Sequence, residues 1–369
     1  EDSGIIRFYK HSNKINFLEG TDLDLEQELI RVNKEINQDF SIANEIQNLV
    51  ELPVLLVKRY SYETGTRRFF EYKIFDDFTL VKEAEGVIDG YINLVFDNIK
   101  LSELIKKSKD YPSNIFVLYK NYRQIKDELL MILKYKKLLI DHQQDINAVK
   151  LLADERQFHL QQLENLVINK LFNNNKNIWI NNGKKQEILS KHNLYEWLTS
   201  ICYKLYKLTP KFNNELINKQ FLSGPINTAR KHLIRALLSN EHNEDLDFNK
   251  DKFPPEKAIY VSLLKQSGVH QKNNKLGYYE LNSPPNDSDL IQLWNESERF
   301  LKSSLSNKRN LFELYEILDS SPFKLKKGLI DFWIPIFLIA KKEDFALFHV
   351  DGGFVPFITE DTIDLIHKN

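Results

Sequence analysis

The chain has 369 residues, 42% of them hydrophobic and 28% charged, with a formal net charge of −1. That is enough chain for two or three domains of ordinary globular composition, and no global field draws it to nucleic acid or to an anionic membrane. Its single cysteine, Cys202, excludes an internal disulfide and a cysteine-rich metal site; its longest apolar run, Leu329 to Ala340, is interrupted by Asp331 and Pro335 and is too short to span a bilayer.

The first 120 residues are expected to form a small α/β domain. Apolar residues from Leu23 to Ile36 recur at helical spacing, with Thr21 or Asp22 as N-cap and acids in the first turn. Ser41 opens a second helix, which Pro53 ends. Val54 to Tyr60 and Arg68 to Phe75 are expected to pair as a hairpin across the turn Glu63-Thr64-Gly65-Thr66. Leu94 to Phe96 and Ile115 to Tyr119 read as further short strands.

Residues 121–250 are expected to form a helical domain. Tyr122 to Asp141 and Ile146 to Phe172 suit an antiparallel helical hairpin. Asn173 to Asn182 reads as a loop closed by Gly183. Leu194 to Leu208 is helical, and Asn213-Asn214-Glu215 is expected to start another helix. Ser223-Gly224-Pro225 breaks it, with Pro225 in a first helical turn. Residues 251–369 are read as a helical region ending in a winged-helix-like module. Pro254-Pro255-Glu256 opens a helix that Gly268 closes, Asn273 to Gly277 and Ser283 to Ser288 are loops, and helices follow at Asp289 to Leu305 and Asn310 to Ser320. The apolar helix Lys326 to Lys341 then precedes a wing, Ala346 to His349 and Phe354 to Phe357, turned at Asp351-Gly352-Gly353. The fold class is therefore mainly α, with a small N-terminal α/β unit, a helical middle and a winged-helix-like end.

Motifs for chemistry are sparse. The twelve glycines form no phosphate-binding loop and no nucleophile elbow. Glu71 and Lys73 share one face of a predicted strand, the pattern a metal-dependent nuclease would use, but no Asp lies on the preceding strand, and a cross-strand ion pair is the simpler reading. The histidines lie at no metal-ligand spacing. Arg67 and Arg68, and the helix edge of Arg230, Lys231 and Arg235, could meet phosphate or a partner, or could pair with local acids. Lys324, Lys326 and Lys327 stand at the start of the apolar helix, where cations beside a helix N-terminus attract phosphate. The rest of that helix is apolar nearly all round and is expected to be buried, which favours packing or partner contact over reading of base edges. No catalytic residue and no metal ligand is assigned.

Several strings together resemble a known family: Phe17-Leu18-Glu19-Gly20-Thr21-Asp22, Lys58 to Phe70 (KRYSYETGTRRFF), Thr209 to Asn218 (TPKFNNELIN), Phe253-Pro254-Pro255-Glu256, and Asp351 to Pro356 (DGGFVP). In this order they resemble the region downstream of the ATPase core in large bacterial phage-defence P-loop ATPases of the BREX type. The resemblance implies a non-catalytic cytoplasmic segment of a multidomain defence protein. Its partners would be the flanking ATPase domain of the same chain, other defence-system proteins and double-stranded DNA, with no membrane. It implies no cofactor in this segment, ATP and Mg²⁺ belonging to the parent's ATPase domain. A start at Glu1, without Met or a signal peptide, fits the expectation of a piece of a longer protein.

Overall fold

In the computed structural model, residues 6–9, 14–17, 23–37, 39–75, 81–96, 100–119, 122–172 and 177–366 are described. The chain is mainly helical with a small mixed sheet. Contacts group it into two compact units, one of residues 1–55 and 70–196, the other of 56–69 and 197–369.

The first unit opens with the antiparallel pair β1 (Ile6–Tyr9) and β2 (Lys14–Phe17). Helix α1 (Leu25–Glu35) is capped by Asp24, whose carboxylate accepts the Gln27 N–H at 3.2 Å; Thr21 and Asp22, the expected caps, lie outside the described residues. Ser41 caps α2 (Ile42–Leu49). The six-stranded sheet has the order β3 (Val54–Leu56), β4 (Phe69–Phe75), β5 (Gly90–Val95), β6 (Ile115–Leu118), β7 (Ile178–Asn181), β8 (Lys184–Gln186). β4, β5 and β6 pair in parallel. Every residue of β5 and β6 is buried, which is why they read as near-continuous apolar runs. Helix α4 (Leu101–Lys107) joins them, and its Leu104 packs with Val95, Phe116, Leu118 and Ile180.

Two long helices are inserted between neighbouring strands of this sheet. They are α5 (Tyr122–Asp141) and α6 (Ile146–Glu164), the latter capped by Asp145 and continued by a π-helical turn, Asn165–Asn169. Ile125, Leu129, Ile132, Tyr135 and Leu138 form the buried stripe of α5; Tyr135 and Leu138 pack with Leu152 of α6 and with Leu25 and Val32 of α1. The chain then returns as β7, antiparallel to β6. The stretch expected to be a loop up to Asn182 is thus partly strand. Asn182 and Gly183, both at positive φ, make a two-residue turn into β8.

Residues 58–64 correct the expected hairpin: they form helix α3 (Lys58–Thr64), not the end of a strand. Tyr60 and Thr64, four residues apart, are its buried face, and Gly65 ends it at φ 73°. A Cβ on Gly65 would lie 2.3 Å from the Phe212 carbonyl oxygen, so no side chain fits there.

In the second unit, α7 (Lys191–Leu205), which begins in the first, leads to the segment 206–222. The helix expected from Asn213 is absent; that stretch is a run of turns. The Asn218 side chain explains why, donating to the Gly65 and Phe212 carbonyls and to Thr66 Oγ1 at 2.9–3.0 Å. Ser223 precedes α8 (Gly224–Asn240), with Pro225 in its first turn. Pro254 precedes α9 (Pro255–Tyr260), which continues into a π-helical turn, Val261–Lys265. A short hairpin, β9 (His270–Lys272) and β10 (Tyr279–Leu281), flanks the expected loop after Lys272. Helix α10 (Ile291–Ser303) follows, then α11 (Leu311–Asp319), which carries a full capping box of Asn310 and Glu313.

At the centre lies α12 (Lys327–Ala340), buried at every position from Gly328 to Ile339 except Asp331, and continuous through Pro335. Trp333 is wholly buried, donates its indole N–H to Ser297 Oγ at 2.9 Å, and meets Trp294 edge-on. Gly328 lets the first turn of α12 close on the Ile217 and Lys219 carbonyls. The ribbon beyond is shorter than expected: β11 (Leu347–Phe348) and β12 (Phe354–Val355) pair around a turn with Gly352 at φ 92°, and α13 (Glu360–Ile366) ends the described chain. Among the described residues no helix is long and apolar enough to cross a membrane.

Candidate functional site

The basic residues singled out in the sequence have different fates. Arg68 is completely buried. Its Nη1 donates to the Lys324 carbonyl at 2.7 Å and its Nη2 to Thr209 Oγ1 at 3.0 Å and the Phe323 carbonyl at 3.5 Å. The Tyr206 ring lies 4.3 Å and the Tyr60 ring 5.7 Å from its guanidinium carbon. Its charge is spent on the backbone that leads into α12 and is not presented to a ligand. Arg67, by contrast, is exposed and pairs at 3.0 Å with the still more exposed Glu215, a contact worth little.

Lys324, Lys326 and Lys327 do not form one exposed patch. Lys326 is only 4% exposed. Lys324, at φ 46°, is mostly covered, 3.8 Å from Asp319. Lys327 alone of the three is exposed. On α8, Arg230 is covered and lies 3.9 Å from Asp331 of α12. Burial pushes the Asp331 carboxyl up, against the pull of Arg230 and Lys327. Arg235 makes a two-pronged ion pair with Glu360 at 2.7 and 2.8 Å. Glu71 and Lys73 bond to each other at 2.9 Å along one face of β4, an ion pair within the strand and not the cross-strand pair expected. Cys202 is buried. Among the described residues no three His, Cys, Asp or Glu side chains are grouped as metal ligands.

The segments Lys58 to Phe70 and Thr209 to Asn218 meet in the second unit. Phe212 donates its N–H to the Thr64 carbonyl at 2.9 Å, Asn218 reaches Gly65 and Thr66, and Arg68 reaches Thr209. They form one hydrogen-bonded knot in front of α12, an architectural role for residues that no catalytic motif explains.

One group of chemically able side chains, assembled by the fold, was not visible in the sequence. It centres on His270, buried at the start of β9. One ring nitrogen, Nε2, is 2.7 Å from the Glu241 carbonyl and therefore carries the proton. The other, Nδ1, is 2.9 Å from the Tyr260 hydroxyl. That hydroxyl is also 3.3 Å from Asp245 Oδ1, and Lys265 grips the same carboxylate at 2.6 Å. Desolvation holds the His270 imidazole below its ordinary value, opposed by the Glu241 carbonyl and by the Glu241 and Asp245 charges. Desolvation also raises Tyr260, reinforced by Asp245. Asp245 is held down by Lys265 despite its own desolvation.

The backbone around this chain is unusual. Asp245, Leu246 and Asp247 all have φ between 53° and 58°, a left-handed run that costs roughly 1–2 kcal/mol per non-glycine residue. Tyr260 and Lys265 flank and end a π-helical turn. Strain and π-turns of this kind gather where side-chain placement is held against local preference. Chemically the arrangement is a hydrogen-bonded chain from the partly exposed Lys265 and Asp245 through Tyr260 to a buried imidazole. Both imidazole nitrogens are already engaged, so it is a clamp more than a base facing a substrate. The bonded partners lie 10 to 29 positions apart in the chain, at no motif spacing.

No protein-family model, curated protein or solved structure matches this chain.

Proposed function

We propose that this chain is a non-catalytic accessory or regulatory segment of a large bacterial anti-phage defence ATPase, coupling that ATPase to a protein partner or to DNA in the cytoplasm. ATP and Mg²⁺ are handled in the flanking ATPase domain. The final region, from Phe323 through α12 and the ribbon to the C-terminal helix, serves as a winged-helix-like module, and the N-terminal sheet region as an α/β unit. The observation that carries this reading is the commitment of the basic candidates to the chain's own interior and ion pairs: Arg68 and Lys326 are buried, Arg230 faces Asp331, and Arg67 and Arg235 are paired with Glu215 and Glu360.

Beside the exposed His349 and Asp351, the ribbon presents several large apolar side chains to solvent. Val350 is 96% and Phe357 77% exposed, beside the cross-strand pair Phe348 and Phe354. A tip of this kind suits a protein partner better than a phosphate backbone. This favours the partner-coupling form of the proposal over the DNA-binding winged helix, which keeps only Lys327 at the first turn of α12. The nuclease alternative would have to free Glu71 from Lys73.

The test is binding of a fluorescent DNA duplex across a salt series. Weak binding is expected even at low salt, with Lys324→Ala plus Lys327→Ala leaving it unchanged. A tight affinity that falls steeply with salt and is lost in that double variant would favour DNA reading instead.

A further inference from the structure

We propose that His270, Tyr260 and Asp245 form a proton-released clamp that fastens the hairpin β9–β10 to the end of α8 and to the left-handed turn 245–247. The inference stands independently of the proposed function.

The geometry defines two hydrogen-bond directions. With a neutral imidazole, Nε2–H donates to the Glu241 carbonyl and the Tyr260 hydroxyl donates to Nδ1. Asp245 is then held by Lys265 alone. When Nδ1 takes a proton it must donate, and the Tyr260 hydroxyl becomes its acceptor. The hydroxyl hydrogen then turns to Asp245 Oδ1. No bond is left unmade, but a cation now lies inside a site with almost no solvent contact.

Titratable and charged groups reach His270 from several elements. The end of α8 brings Glu241 and His242, the turn brings Glu244 and Asp245, Tyr260 and Lys265 come from α9 and its π-turn, and β10 brings Tyr279, whose ring centre is 5.5 Å from the imidazole. Glu241 is itself engaged by Lys342 at 2.8 Å, and Asp245 by Lys265. The nearby acids soften the penalty for the imidazolium without removing it, because desolvation is the largest influence on His270.

The sign follows from linkage. The folded imidazole binds its proton less well than an exposed one, whose ordinary value is about 6.5. The clamp therefore holds fully above that pH and weakens as pH falls toward the lower folded value. A local opening that exposes His270 gains up to about tenfold per pH unit across that window. The device acts on the segment 241–247 and on the hairpin, whose Leu246 and Leu281 join the core around α12.

Hydrogen exchange of the whole chain, corrected for intrinsic rates and compared at pH 7.5 and 5.5, tests this. Residues 268–282 and 241–247 are expected to lose protection severalfold at the lower pH, while β7–β8 does not, and His270→Asn is expected to remove the difference. Should that variant fold poorly, an NMR titration of the wild-type histidine ring protons replaces it. A His270 midpoint below 6.5, lowered further by Asp245→Asn, supports the clamp. A midpoint at or above 6.5, or equal pH dependence in wild type and variant, overturns it.

Discussion

Arg68→Ala is expected to lower the unfolding free energy of the second unit by about 3 to 5 kcal/mol, because two main-chain carbonyls and a hydroxyl lose a charged donor in a buried site. Those acceptors are Lys324, Phe323 and Thr209, and the gap would open between the Tyr60 and Tyr206 rings. Arg68→Lys should recover little, since an ammonium cannot reproduce the planar fork that reaches three acceptors at once. The readout is the urea midpoint of the purified variants. An arginine whose work is to meet phosphate on a partner would behave in the opposite way. Its loss would leave the midpoint unchanged and weaken binding only.

Trp333→Ala is the second large effect, about 3 to 5 kcal/mol from lost burial and the cavity left behind. Trp333 is fully buried, its indole N–H is bonded to Ser297, and Trp294 packs edge-on against both it and Phe337. Trp333→Phe should cost much less. It keeps most of the ring volume, and Ser297 Oγ retains its own bond to the Leu293 carbonyl at 2.9 Å. A Trp333→Ala midpoint close to wild type would place the α12 face in solvent, where a recognition helix would need it.

The helices were legible where periodicity and capping agreed. The apolar stripe of α5, the cap at Ser41, and the prolines at 225 and 255 each mark a boundary that local chemistry sets alone. The burial of α12 was readable because its residues are apolar on every side. The errors came where tertiary contacts outweighed local preference. Tyr60 and Tyr62 favour a strand, yet Tyr60 and Thr64 supply one buried helical face and Gly65 a left-handed stop. Asn182-Gly183 carried a hairpin signal that an Asn-rich neighbourhood concealed. The helix expected from Asn213 loses to the hydrogen bonds of one side chain, Asn218.

The site was harder to read than the fold. The acceptors of Arg68 lie 141 to 256 residues away along the chain, so nothing near position 68 announces a buried guanidinium. Three lysines at 324, 326 and 327 look equivalent in sequence. The backbone separates them, turning Lys326 inward at the helix N-cap and leaving Lys327 outside. His270 reads as a lone histidine because its partners come from a helix end, a left-handed turn and a π-turn that only the folded chain assembles.

The measurement closest to the heart of the account is turnover by the purified chain. Mg²⁺-ATP and, separately, duplex DNA with Mg²⁺ are supplied in excess, and released phosphate and cut strands are counted. Rates indistinguishable from buffer are the predicted outcome. Sustained phosphate release, or strand cleavage abolished by Glu71→Ala, would contradict it.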